Sequence, residues 1–334
     1  MRKLTPWLSI VIIGSAVARG EDHPPLAGAR RVVFLGDSIT YAGQYVEYVE
    51  AYLRARDPAW RCEIFNLGLP SETVSGLTEP GHAGGAFPRP DVHERLDRVL
   101  ARLKPDLIVV GYGMNDGIYH PFSEDRFQKF QDGIHRLRAR AEEAGVKVLH
   151  VTPPVFDPAP IQANTLPAGR EEYRQPFEGY DEVLNLYSAW LLAHRGVGWE
   201  VVDVHGPIER HLARERRRDP KFRLAPDGVH INPEGHWLIA RAILLHNGVP
   251  AVDLDEGLGG EQALGKLPRG LEVLKLVQRK QRVLKDAWLT AIGHERPGMA
   301  KGVPLDEAED QAEALENEIR NLTVKPADSG EVPF

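Results

Sequence analysis

The stretch "RRVVFLGDSITYAG", residues 30–43, contains a strand-forming run, Val32 to Leu35, that stops at Gly36-Asp37-Ser38. The residues that follow, "ITYAGQYVEYVEAYL", repeat apolar positions at helical spacing. Ser38 therefore stands where a strand ends and a helix begins. At that corner a parallel sheet offers a side chain and a backbone N–H to a ligand. A serine there can also be a plain helix cap, so its meaning depends on the rest of the chain.

Outward from this corner the alternation continues. Strand-type runs at 31–35, 62–66, 106–113, 146–154 and 199–204 are separated by amphipathic stretches. In "DVHERLDRVLARL", for example, Val92, Leu96, Val99, Leu100 and Leu103 recur at helical steps. Near-continuous Val/Ile/Leu strands alternating with helices predict an α/β fold, a parallel sheet covered on both faces. Right-handed crossovers then bring the C-terminal ends of the strands to one rim.

Bulk properties narrow the function classes. With 42 % hydrophobic and 27 % charged residues the 334-residue chain reads as an ordinary globular protein. A net charge of −7 gives no electrostatic footprint for nucleic acid. The basic patch "RERRRDPKFR", 214–223, is read as a solvated loop. The N-terminus, "MRK" then "LTPWLSIVIIGSAVA", reads as a secretory leader over 1–20 ending at small residues near Ala18, with an uncleaved anchor as its rival. A periplasmic or secreted protein is expected, with no stable membrane insertion once the leader is removed. Cys62 is the only cysteine, which excludes an intramolecular disulfide and a cysteine-based metal site.

The unusual residues fall in the loops of the shared rim. Gly36-Asp37-Ser38 follows the first strand, Asn66-Leu67-Gly68 the second and "GYGMNDG", with Asn115 and Asp116, the third. "APDGVHINPEGHWLIA", with Asp227 and His230, comes after the fifth. Cleaving an ester with serine needs a base, a group that orients the base, and donors for the oxyanion. Ser38 can be the nucleophile, His230 the base and Asp227 the group that orients it. The Ser38 and Gly68 N–H groups and the Asn115 amide are three candidate donors. Gly68 is read as glycine so that backbone can approach a bound carbonyl. Asp37 and Asp116 are read as turn-tying residues.

Together these four stretches resemble the signature blocks of the SGNH hydrolase superfamily, also called GDSL esterases and lipases. The nucleophile block is "FLGDSIT", the glycine block "NLGLPSET", the asparagine block "GYGMNDG" and the Asp-x-x-His block "DGVH". The resemblance spans roughly residues 30–247. It implies a flavodoxin-like three-layer α/β/α sandwich of about five parallel strands and a serine esterase mechanism without metal or organic cofactor. A hydrolase domain over 28–250 is expected.

A helical hairpin is expected over 260–325, in two amphipathic runs on either side of "GHERPGMAKGV", 293–303. It is read as packed on itself and on the hydrolase domain, with a homodimer contact as the sharper alternative. His294 and Arg296 in its tip, with His82 in the loop after the second strand, are candidate substrate-binding residues. His93, His120, His150 and His205 are read as structural or solvent-facing. The expected activity is hydrolysis of a small ester or acylated glycan, with short acyl groups on carbohydrate first. Lipase, thioesterase or acyltransferase chemistry, and glycan binding on the same scaffold, are the alternatives.

Overall fold

The structure is a computed structural model that describes residues 25–255 and 257–324. The leader expected at 1–20 lies outside the described residues. Among the described residues, no helix is long and apolar enough to cross a membrane.

Strands β1 (Arg31–Gly36), β2 (Glu63–Asn66), β3 (Leu107–Gly111), β4 (Lys147–Val151) and β5 (Glu200–Val202) form one parallel sheet. Their order is β2-β1-β3-β4-β5, the flavodoxin-like arrangement. Val32, Val33, Phe34 and Leu35 are fully buried, as a strand covered on both faces requires.

The first helical stretch is two helices, α1 (Ser38–Ala42) and α2 (Gln44–Arg56), because Gly43 between them takes a left-handed φ of 85°. There follow α3 (Val92–Leu103), α4 (Glu124–Glu143), α5 (Tyr180–Ala193), α6 (His205–Arg218) and α7 (Pro233–His246). The chain steps from β1 outward to β2, then back across β1 to β3, β4 and β5. Right-handed crossovers therefore place α2 on one face and α3, α4 and α5 on the other. Contacts agree: α2 packs on α7, and Phe130 of α4 stacks on Tyr187 of α5 with ring centroids 4.4 Å apart. Part of the basic patch expected as a loop is helical: residues 214–218 form the last turns of α6. Their three arginines at 216–218 suit the negative end of the helix dipole.

Beyond α7 lie α8 (Gly260–Gly265), α9 (Gly270–Ile292) and α10 (Leu305–Val324). The last two form the expected hairpin, and α9 buries Val273, Leu274, Val277, Leu284 and Trp288 in the same core as the sheet. It also covers an open edge. Gln281 Nε2 donates to the carbonyl of Ile64 on edge strand β2 at 2.9 Å. On the opposite edge, Arg195 donates through Nε and Nη2 to Val201 O of β5 at 2.9 and 2.6 Å.

Candidate active site

Ser38 is the first residue of α1, and the helix is capped by its neighbour: Asp37 Oδ1 accepts from Ile39 N at 2.9 Å. The serine hydroxyl is thus left free for other work. Asp37 is buried, and burial lifts its carboxyl from 3.8 to about 7 against the opposing hydrogen bond from Ile39. Asp116 is tied more completely. Its Oδ1 accepts from Val74 and Ser75 at 2.9 and 2.8 Å, and its Oδ2 from Gly113 at 2.8 Å. Both aspartates hold turns, as expected.

Asp227 and His230 sit in the loop before α7, and that loop reaches α1. His230 Nε2 lies 2.8 Å from Ser38 Oγ, and His230 Nδ1 lies 2.6 Å from Asp227 Oδ2. An ionised carboxylate only accepts, so Nδ1 carries the proton and the Nε2 lone pair faces the serine hydroxyl. The other oxygen of Asp227 accepts from the backbone N–H groups of Val229 and His230 at 3.0 and 2.7 Å. Partial burial opposes ionisation of Asp227, but the bonds from the His230 ring and these N–H groups outweigh it and hold the carboxyl below its ordinary value. The His230 and Asp227 side chains are 53 % and 56 % exposed, so a bulky substrate can reach them.

Asn115 is oriented from both ends. Its Oδ1 accepts from the Tyr119 hydroxyl at 3.0 Å, and its Nδ2 donates to Glu72 O at 3.1 Å, leaving a second N–H. A phenol must donate to the amide oxygen here, which fixes which way the amide points. Tyr119 is held by unusual backbone: Ile118 and Tyr119 both have positive φ, 50° and 58°. That conformation is costly for a β-branched residue.

Gly68 departs from expectation. Its N–H donates to Asn66 Oδ1 at 2.9 Å and is therefore occupied. It is glycine because a Cβ would stand 2.2 Å from Tyr41 N, so it allows the β2 loop to touch α1 rather than a ligand. A better-placed donor is Ser71. Leu69-Pro70-Ser71-Glu72 forms a turn closed by Glu72 N to Leu69 O at 3.1 Å, with Pro70 at its second position and Ser71 at φ 70° at its third. These are features of a type II turn, where glycine is the usual third residue. The Ser71 N–H has no partner within the described chain, and the next residue's carbonyl holds Asn115. Under the turn, the buried Glu72 carboxylate is gripped by Arg95 Nε and Nη2, both at 2.6 Å, and by the Tyr112 hydroxyl at 2.5 Å. Arg95 also donates to Leu67 O at 2.7 Å. This buried network fixes the whole β2 loop.

Of the three candidate binding residues, His82 and Arg296 meet at Phe87. The edge of His82 meets the Phe87 ring at a centroid distance of 5.3 Å, and the Arg296 guanidinium lies 5.3 Å from the centre of the same ring. Burial, then the charge of Arg89, pushes the His82 imidazole below its ordinary value. Burial likewise lowers His294. Arg89 was not singled out in the sequence. It forms a two-pronged pair with Glu79 at 2.6 and 2.7 Å and lies over the Tyr119 ring at 5.4 Å. His150 is buried in β4 against Trp199, and His205 is buried at the start of α6, both away from the triad's bonds.

No curated protein matches the chain. Among solved structures, it is similar to a gut microbial diltiazem-metabolizing enzyme at 22 % identity and a TM-score of 0.53, covering 67 % of this chain and 48 % of that one. This chain thus spans about half the length of that enzyme. It is also similar to a variant of Axe2, an acetyl-xylooligosaccharide esterase from Geobacillus stearothermophilus. There the identity is 20 % and the TM-score 0.50, with 68 % of this chain and 97 % of that one covered. At such identities the likeness speaks to the fold. The family match goes further, since the GDSL-like lipase/acylhydrolase model aligns with residues 34–238, more than half of the chain, from the strand before Ser38 to the helix after His230. The chain belongs to the GDSL-like lipase/acylhydrolase family.

Proposed function

We propose that the protein is an exported serine esterase that removes short acyl groups, acetyl first, from carbohydrate. The observation that carries this is the unbroken line of contacts from Ser38 Oγ through His230 to Asp227, at 2.8 and 2.6 Å. Ser38 Oγ attacks the ester carbonyl as His230 Nε2 takes its proton, and the carbonyl oxygen becomes an oxyanion. That charge develops toward the Ser38 and Ser71 N–H groups and the second N–H of Asn115. Collapse expels the alcohol, which leaves with the proton from His230. Water then repeats the sequence on the acyl-enzyme and releases the carboxylic acid.

The half-exposed triad and its polar wall of Arg89, His82 and Arg296 suit a hydrophilic alcohol more than a buried acyl chain. Export rests on the charged and apolar N-terminal sequence. A fluorophosphonate probe tests the core of this reading. Labelling should map to Ser38 and vanish in Ser38→Ala. A screen of p-nitrophenyl esters should show turnover falling as the acyl chain lengthens. Labelling at another serine, or none, would overturn the mechanism.

A further inference from the structure

The loop between α9 and α10 lies outside the family-matched segment, yet it packs against α3 and Phe87 within that segment. Arg98 of α3 donates to Ile292 O at 2.7 Å and to Gly293 O at 3.1 Å, which pins the loop's entry. The preceding turn of α9 grips Tyr41. Lys285 Nζ donates to Tyr41 O at 2.8 Å and lies 3.9 Å from the centre of its ring, and the Tyr41 hydroxyl donates to Asp286 at 3.0 Å. Tyr41 stands one helical turn after Ser38, so the two side chains are surface neighbours. Burial and Asp286 raise the Tyr41 phenol to about 12, while the charge of Arg296 pulls the other way, so the guanidinium and the phenol lie within electrostatic reach of each other.

Among the described residues Arg296 has no anionic partner. Its Nη1 meets Pro297 O and the Met299 sulfur, each at 3.1 Å, and its buried Nε has no partner among them. Three carboxylates on the elements that the loop packs against are engaged with other partners. Asp286 accepts from Tyr41, Glu79 takes the fork of Arg89, and Glu94 takes Arg98 at 2.7 Å. Burial lowers the pKa of Arg296, the direction expected for a cation short of compensation. A planar guanidinium packed on an aromatic ring, with an unanswered N–H, matches a carboxylate far better than a neutral hydroxyl.

We propose that Arg296 binds a carboxylate of the substrate, so that the preferred substrates are acylated glycans bearing a uronic acid near the scissile ester. This rests on the esterase reading above and adds a substrate class to it. The test compares two acetylated xylo-oligosaccharides, one neutral and one carrying a glucuronic acid branch. Each is assayed with the wild type, Arg296→Ala and Arg296→Lys. The wild type should favour the acidic substrate about tenfold or more in kcat/KM, mainly through KM. That ratio should fall toward one in Arg296→Ala, be partly kept in Arg296→Lys, and shrink as salt is raised. Equal kcat/KM for the two substrates in the wild type, or an unchanged ratio in Arg296→Ala, overturns the inference while leaving the esterase intact. Absence of turnover on every ester, p-nitrophenyl acetate included, overturns both.

Discussion

At the scale of single residues, the site separates groups that react from groups that hold. Ser38→Ala removes the proposed nucleophile but nothing that caps α1, since Asp37 does the capping. Esterase turnover should fall by roughly 10⁴-fold or more with the melting temperature nearly unchanged. Because Asp227 is held ionised and His230 must be neutral to accept the serine proton, kcat/KM should rise with pH along a single limb belonging to the pair. A flat profile would refute the base. Asp37 responds to pH through stability instead. Its pKa is raised by burial from 3.8 to about 7, so its contribution is full below about 3.8 and is lost as pH rises through 7. Asp37→Asn keeps an acceptor for Ile39 and has no proton to lose. The fall in melting temperature between pH 5 and pH 8 should therefore be shallower in that variant. Ser38, Asp227, His230 and Asn115 were legible because each stands in a short stretch after a strand. Gly68 was misread because nothing in the sequence tells whether a glycine spares room for a ligand or for another helix. The Pro70-Ser71 pair did carry a turn signal, but a serine at a left-handed position hides what a glycine would have announced.

At the scale of elements, α9 is fastened to α2 by charge as well as by packing. Glu50 of α2 is fully buried and receives Lys280 Nζ, with Gln281 Nε2 at 2.6 Å. Lys280 also reaches Glu316 of α10 at 3.0 Å, and Arg54 of α2 pairs with Glu316 at 2.7 Å. Lys280→Met would leave the buried Glu50 with only the more distant Arg54, at 3.9 Å, as a cation and should cost up to about 3 kcal/mol, read as a lower urea midpoint. Adding Glu50→Gln removes the stranded charge and keeps an acceptor for Gln281, so the double variant should recover most of the loss. If the double variant were no better than the single one, packing rather than charge would fasten α9. The helical period of the apolar residues revealed both hairpin helices, and near-continuous apolar runs revealed the five strands, because burial on one face or on both imprints directly on the sequence. It could not show that Gly43 breaks the first helix, nor that α9 lies along the edge of β2. Both depend on contacts made far away in sequence.

At the scale of the whole molecule, the family-matched segment stops at residue 238, inside α7, so its boundary is not a boundary of the fold. Residues 257–324 complete the core. Gly260 of α8 has no room for a Cβ against the Tyr48 ring at 2.7 Å, Trp288 of α9 meets Phe65 of β2 edge-on at 5.7 Å, and Ile319 of α10 is buried. A chain ending at Asp255 would expose the outer face of α2 and leave the Ile64 carbonyl of β2 without its Gln281 donor. An apolar face beside an open strand edge is a template for aggregation. Such a chain should be insoluble, or soluble only as a dye-binding species without a cooperative melt. The intact protein, by contrast, should unfold in one transition that is the same by calorimetry and by circular dichroism. Two resolved transitions, or a truncated chain that melts like the intact one, would mean that the hairpin is an appendage. Arg296 would then be carried on a loosely held arm instead of a loop fixed through Tyr41 and Arg98.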